Sequence, residues 1–470
     1  MSKRYRGSDE RPALTYSALL DTDTRPIPPH LREQAPRDIG VAPVPTSRFY
    51  DRDNHNKEVA HVWSKVWQWA CREEDIPNVG DCHLYEIAER SIIVVRSAPN
   101  TIKAFYNSCL HRGRKLITSS CHKTEFKCPY HGMTWACDGK FVRNPIGWDF
   151  PQWPEGENPL PEVKVETWAG FVFVNFDPNA PTLRSVIGPL MDHFERYEYA
   201  NRFCAVNVSK VIRANWKIVA EAFMESHHSL TTHPQILTAT GDANAQYDFL
   251  NDHVSRHFVA AGTPSPNIDE HPSDLEMVEY MMSRYSTDKK RRALPAGAAI
   301  PDPLPEGFSV RQFMGDIARR GLEERTGRSY DHASDAELID SIQYGVFPHM
   351  SFWASFGASM VYRWRPYGNN PEMSIMDTLI LSPIPSEGPR PAAAQVIELG
   401  PDDHPTLAKD VLGQFANVFA QDLGNLPHVQ TGVHASGIGV VHYGRYTEMR
   451  IRHMHQLIDR MIAEGEARTS

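Results

Sequence analysis

Two short stretches, CLHRG at 109–113 and CPYHG at 128–132, decide how this chain is read. Cys109 and His111 flank one residue, Cys128 and His131 flank two, and sixteen residues separate the pairs. Two thiolates with two imidazoles suit a zinc ion, or a [2Fe-2S] cluster in which histidines replace two cysteines on one iron. Spacing separates the two. Zinc sites of this ligand set usually group both cysteines in one loop and both histidines in another, whereas each loop here offers one of each. One Cys from each loop can hold an inner iron and one His from each an outer iron. Gly113 and Gly132 let the backbone turn tightly and bring amide N–H groups near sulfide.

This pattern, C-x-H, about sixteen residues, then C-x-x-H, resembles the Rieske family. The residues around it read as a small β domain, expected over 50–178. A helix near Asn54 to Trp67 carries Val59, Val62, Trp63 and Val66 at helical spacing. From Gly80 the period becomes that of strands. Ser91 to Arg96 and Ile102 to Tyr106 form a hairpin across Ala98-Pro99-Asn100, Asp138-Gly139 marks a further turn, and Gly170 to Phe176 is a buried strand. Residues 1–49, rich in proline and charge, read as an extended arm.

Composition narrows the class. A chain of 470 residues suggests two or three domains, and a net charge of -9 argues against nucleic-acid or anionic-membrane partners. Seven cysteines, two of them assigned to a cluster, do not form a disulfide framework, so a reduced cytoplasmic setting is expected and Cys71, Cys82, Cys121, Cys137 and Cys204 read as incidental thiols. The chain has no apolar signal core at its start and no run of eighteen apolar residues.

A second functional stretch, NWKIVAEAFMESHHSLTTHP, spans Asn215 to Pro234. Ile218, Ala222 and Phe223 suit a buried helix face, with Glu221, Glu225 and His228 on a neighbouring one. On a continuous helix His233 would point roughly 140° away from His228. Pro234 disfavours helix at His233, so the helix is expected to end at Thr231-Thr232 and the chain to swing His233 back. Two imidazoles then meet at one point and suit iron if a carboxylate completes the set.

Taken with the Rieske motif, this stretch resembles the large (alpha) oxygenase subunit of Rieske non-haem iron oxygenases, the aromatic ring-hydroxylating dioxygenase group, from about residue 45 onward. The resemblance implies a third ligand, an aspartate far downstream. Asp422 lies on an apolar helical stripe over Leu407 to Leu426, where an unpaired carboxylate is costly, and its context QDLGNLPHVQTG looks like the family's aspartate segment. The implied cofactors are a [2Fe-2S] Rieske cluster on Cys109, His111, Cys128 and His131 and a mononuclear Fe(II) on His228, His233 and Asp422. Most members place aspartate three residues before the first iron histidine, where it links that histidine to a cluster histidine of the neighbouring subunit; here Glu225 stands there. By the same match His131 is the cluster end and His228 the iron end, and Glu225→Gln should leave both metals bound while sharply lowering turnover. Some relatives that oxidise quaternary-ammonium compounds such as carnitine carry glutamate at this position.

The expected fold class is α+β: an antiparallel β Rieske domain, then a helix-grip (START-like) catalytic domain over 179–470. Residues from about 236 to 345 read as a polar insertion with helices at Asp274 to Tyr285 and Val310 to Glu324, and with a solvated charge run, DKKRR, at 288–292. Strand-like alternation returns from Met350 to Trp364, and Gly368-Asn369-Asn370-Pro371 turns the chain into a strand from Met373 to Ser382. Phe223, Met224, Phe352, Trp353, Phe356 and Met360 are candidate pocket residues. Such a wall suits an apolar or aromatic substrate, or a quaternary amine through cation–π contacts.

The resemblance implies a terminal oxygenase component that uses O₂ and electrons relayed through the cluster to mono- or cis-dihydroxylate an apolar or aromatic substrate. An N- or O-demethylating monooxygenase acting on a quaternary-ammonium or methoxy compound is the alternative within the family. A non-catalytic Rieske electron carrier and a zinc-stabilised binding protein are alternatives outside it. The sequence lacks a G-x-G-x-x-G after a strand, so a separate ferredoxin or flavin reductase is the expected electron donor, with a homotrimer, with or without a small beta subunit, as the expected assembly.

Overall fold

The computed structural model describes residues 15–153, 157–269, 272–286, 299–301 and 303–469; the DKKRR run at 288–292 lies outside them. The chain divides into two compact units. One holds Asp53–Val186 with the short segments Pro366–Asn370 and Met461–Ser470; the other holds Ile187–Arg365, Pro371–Arg460 and the residues ahead of Asp53.

The first unit is built on a seven-stranded antiparallel sheet in the order 68–72, 171–175, 162–168, 101–106, 90–98, 81–87, 121–122. The run Ile92 to Val95 is buried on both faces, so its strand reads as continuous rather than alternating hydrophobicity. A small sheet, Glu125–Lys127, Thr134–Ala136 and Phe141–Arg143, stands beside it. Phe105, Phe126 and Trp135 belong to the same core cluster as Cys109 and Cys128, so the cysteines rest on packed rings. Each such buried ring contributes roughly 1.5–3 kcal/mol.

The second unit wraps an eight-stranded sheet in the order 240–249, 254–261, 341–346, 350–353, 359–367, 370–383, 202–212, 397–399. Among the described residues, successive strands from 240–249 through 359–367 pair antiparallel, as do 202–212 and 370–383, and 397–399 lies parallel to its neighbour, 202–212. The helix Phe415–His434 packs on the sheet through Phe419, whose ring meets Tyr362 at 5.6 Å. Together the units form the α+β arrangement the sequence suggests.

Four sequence expectations change. The segment 236–345 is not one irregular insertion: Thr240–Phe249, Val254–Ala261 and Ser341–Val346 are strands of the main sheet. The first of these carries buried Asp242, Asn244, Gln246 and Asp248, and residues 33–35 cover its Gln246–Phe249 end. Ala35 N–H donates to Asp248 Oδ1 at 2.7 Å, Phe249 N–H to Ala35 O at 2.9 Å, and Gln246 Nε2 to Glu33 O at 2.9 Å. An exposed sheet edge is thereby closed by the N-terminal arm. Met350 to Trp364 is two strands, Met350–Trp353 and Ser359–Tyr367, which fold back so that Phe352 faces Val361. The apolar stripe from Leu407 to Leu426 is broken at Gly413, whose φ of +60° ends the short helix Lys409–Leu412 before Phe415–His434 begins. The fourth change concerns the iron stretch.

Candidate functional site

The two cluster loops share one backbone design. Gly113 N–H bonds Cys109 O and Cys109 N–H bonds Arg114 O, both at 2.9 Å; Gly132 N–H bonds Cys128 O at 3.0 Å and Cys128 N–H bonds Met133 O at 2.8 Å. Both turns need positive φ, +74° at Gly113 and +77° at Gly132, which glycine adopts without strain. Both cysteines are buried and their thiols are in hydrogen-bond contact, while His111 is half-buried and His131 exposed, with ring centroids 4.7 Å apart. Burial raises the Cys109 thiol above its ordinary value, and backbone N–H groups of His111 and Arg112 directed at it act in the opposite sense. Among the described residues, His111 Nδ1 is buried with no hydrogen-bond partner. Buried sulfurs inside, amide donors around them and an uncommitted imidazole nitrogen outside fit a [2Fe-2S] cluster held by Cys109, Cys128, His111 and His131.

The iron stretch is not a continuous helix. Asn215 caps Trp216–Glu221, accepting Lys217 N–H at 2.9 Å, and the chain then leaves helical geometry until Ser229–Thr232. Glu225 breaks it. Its carboxylate accepts His228 N–H at 3.0 Å and His228 Nδ1–H at 2.6 Å, and lies 3.0 Å from His227 Nδ1, so side chain replaces the helical ladder. The freed carbonyls are met from a distance in sequence: Gln343 Nε2 donates to Phe223 O at 2.8 Å and Arg450 Nη1 to Met224 O at 3.1 Å. His233, ahead of Pro234, has left helical geometry (φ -126°, ψ 53°) and turns back as the sequence requires.

His228, His233 and Asp422 converge, each offering a ligand atom within 4.8 Å of the others. His233 Nε2 lies 2.7 Å and His228 Nε2 3.7 Å from Asp422 Oδ1. The outer nitrogens are both oriented: His228 Nδ1 by Glu225, His233 Nδ1 by Gln421 Oε1 at 2.9 Å. With each Nδ1 donating, each Nε2 presents a lone pair to the common point. Burial works against a charged His228, but the Glu225 carboxylate outweighs it and raises the imidazole's pKa. Glu225 is pushed up by burial, yet its bonds with His227 and His228 hold it far below the usual carboxylate range. Two imidazoles and a carboxylate on one face fit a ferrous ion with open positions. Gln421, Gln343 and Arg450 carry no sequence signal of a role, because each acts only through a partner distant in the chain.

A cavity of about 840 Å³ opens in the same unit, walled by sheet residues, by the helices Val310–Thr326 and Asp335–Ile339, and by residues 411–415. Trp353 and Met360 line it; Phe223 and Met224 line a separate pocket of about 30 Å³. Phe352 packs on Phe194 (6.4 Å) and Phe356 on Tyr197 (5.0 Å) and Tyr330 (5.6 Å), so the structure places both in aromatic core outside these two walls.

Family models match both units: residues 66–154 match the Rieske [2Fe-2S] domain, and 191–464, more than half of the chain, match the ring hydroxylating alpha subunit catalytic domain. The benzene 1,2-dioxygenase alpha subunit of Pseudomonas putida is 30% identical over 343 residues, covering 68% of this chain and 67% of that one. The glycine betaine monooxygenase oxygenase subunit of Pseudomonas aeruginosa is 29% identical over 197 residues, 41% of this chain and 45% of that one, so the match spans less than half of that relative. A solved quaternary ammonium Rieske monooxygenase superposes with a TM-score of 0.62 at 16% identity, covering 91% of this chain and 99% of that one, a likeness of fold. The chain therefore belongs to the ring-hydroxylating oxygenase alpha-subunit family, with a Rieske [2Fe-2S] cluster and a mononuclear non-haem iron as its cofactors.

Proposed function

We propose that this protein is a terminal oxygenase component that hydroxylates, once or as a cis-diol, an apolar substrate of several rings. The observation that carries this reading is the cavity of about 840 Å³, a size that encloses a drug-sized molecule. Its wall includes Phe203, Ile317, Leu322, Ile339, Trp353 and Met360. Asp340, a carboxylate in that wall, is committed to Arg311 at 2.7 Å and to Ala261 N–H at 2.8 Å, which leaves it poorly suited to hold a substrate cation.

Cys109, Cys128, His111 and His131 would hold the cluster, and His228, His233 and Asp422 the ferrous ion. Bound there, the groups supply single electrons and the capacity to activate O₂. Glu225 and Gln421 fix the imidazole tautomers, and the aliphatic and aromatic side chains of the cavity wall would pack against the substrate. Electrons would come from a separate ferredoxin or flavin reductase. The assembly we propose is a homotrimer with Glu225 facing His131 of a neighbouring copy; what supports passage of electrons between copies is a solved relative described in terms of inter-subunit electron transfer.

A second reading, demethylation of a quaternary-ammonium compound, is favoured by Glu225 in place of aspartate and by the match to glycine betaine monooxygenase. A single-turnover experiment separates them: reduced holoprotein receives ¹⁸O₂ with fluorene or with glycine betaine. Labelled ring alcohol supports the first reading and formaldehyde the second. Cluster reoxidation with neither product would overturn the hydroxylation reading for this substrate class.

A further inference from the structure

Between the cavity wall and the iron ligands stands Tyr362, 3% exposed. Its ring meets Trp353 at 4.6 Å on the cavity side, and Phe223 at 5.1 Å and Phe419 at 5.6 Å on the other. Asp422 is the charged group that acts on it, and together with burial keeps the phenol protonated. Among the described residues, its hydroxyl has one hydrogen-bond partner, Met360 Sδ at 3.4 Å.

That partner is a poor one. A thioether accepts weakly, and a buried phenol normally finds an oxygen or nitrogen. Met360 itself lines the cavity and is half-buried, and its three rotatable bonds let it turn aside without disturbing the strand. Of the wall hydroxyls, Thr326 donates to Leu322 O at 2.8 Å, while Ser341 Oγ accepts Trp353 Nε1–H at 3.1 Å and Ser355 Oγ accepts Gly357 N–H at 3.0 Å. The Tyr362 hydroxyl is a weakly satisfied donor one side chain behind the wall, within reach of the charge of the iron carboxylate Asp422.

We propose that Tyr362 orients the substrate: its hydroxyl donates to an oxygen on the bound molecule once Met360 swings away, so the substrate class is a fused-ring apolar compound bearing a carbonyl or ether oxygen. This rests on the reading of the large cavity as the substrate chamber. A site built around a donor discriminates strongly for ligands carrying the matching acceptor.

The test compares 9-fluorenone, which has the acceptor, with fluorene, which lacks it, by calorimetric titration of the anaerobic holoprotein. Tyr362→Phe should weaken fluorenone about tenfold and leave fluorene unchanged, a single hydrogen bond's worth. Met360→Ala should tighten fluorenone in the wild-type background and not in Tyr362→Phe. A cavity-filling Leu322→Trp should block both ligands. If Leu322→Trp blocks both but Tyr362→Phe binds fluorenone as wild type does, the chamber reading stands and the role of Tyr362 is overturned. If neither ligand binds wild type, or Leu322→Trp changes nothing, the chamber reading falls and the inference falls with it.

Discussion

Replacing Glu225 by glutamine changes one oxygen to an amide nitrogen and keeps the shape. Glu225 Oε1 accepts His228 Nδ1–H at 2.6 Å; Oε2 accepts His228 N–H at 3.0 Å and faces His227 Nδ1 at 3.0 Å. Glutamine must place its NH₂ against one of these groups. Set against the backbone N–H, two donors collide. Set against His228 Nδ1, the ring must take the other tautomer, with its proton on Nε2, the nitrogen that has to bind the metal. Either way one charge-assisted hydrogen bond is lost, worth about 1.5–3 kcal/mol. At about 1.4 kcal/mol per decade the ferrous iron affinity should fall roughly 10- to 100-fold, the range found for partners of metal-bound histidines. Anaerobic equilibrium dialysis against ferrous iron measures it, with acid-labile sulfide per chain as the control for an intact cluster. At saturating iron both centres fill, and turnover stays low if Glu225 also carries electrons. An unchanged iron dissociation constant in Glu225→Gln would refute the tautomer argument.

Other perturbations follow from the same geometry. Gln421→Leu removes the acceptor on His233 Nδ1; because Gln421 is exposed and water can replace it, the loss of iron affinity should be about tenfold, with Gln421→Glu restoring it. Gly132→Ala forces φ +77° on alanine and sets its Cβ 3.1 Å from Pro145 Cγ, whereas Gly113→Ala, at φ +74°, meets only Ser108 Oγ at 3.8 Å. Both cost about 1–2 kcal/mol from the backbone, so Gly132→Ala should retain less sulfide per chain than Gly113→Ala. Burial pushes the Asp377 carboxyl up, but Arg363 and Arg365 outweigh it and lower the pKa from 3.8 to about 2. The ionised form is therefore favoured by folding, with about 2 kcal/mol of stability present above pH 4–5 and about half of it gone by pH 3. Urea unfolding at pH 5 and pH 3 should show this loss in wild type and its absence in Asp377→Asn.

What could be read from the sequence was what local chemistry encodes. The cluster loops announce themselves because ligand spacing and the glycines needed for positive φ lie within five residues of each other. Pro234 likewise revealed that His233 turns back. The break in the iron helix was hidden, because Glu225 looks like an ordinary helical residue until its carboxylate is seen taking His228 N–H. Thr240–Phe249 was hidden for a related reason: its buried polar run Asp242, Asn244, Gln246 and Asp248 suggests a loop until the arm is seen bonding Gln246 and Asp248. Phe352 and Phe356 show the limit of side-chain type, since aromatic character fits core and cavity wall alike.

Arg450 shows how a group silent in the sequence can govern the site. It is 1% exposed, and its partners are neutral: Met224 O at 3.1 Å, Gln343 Oε1 at 2.9 Å, Ser255 Oγ at 3.0 Å, and His257 Nδ1. Burial lowers its pKa from 12.5 to about 10, which leaves it charged at neutral pH. A cation is tolerated here because its planar fork reaches acceptors on several elements at once, including the carbonyl beside Glu225. Arg450→Met would leave those acceptors buried without a donor, at about 1–3 kcal/mol each, and would release the loop that carries Glu225 and His228. Arg450→Lys keeps the charge but offers donors from a single point, so it should recover stability only in part. If the loop is held from this side, urea unfolding and ferrous iron affinity should fall together in both variants, more in Arg450→Met. A variant that loses stability yet binds iron as tightly as wild type would show that Glu225 orients His228 without support from Arg450.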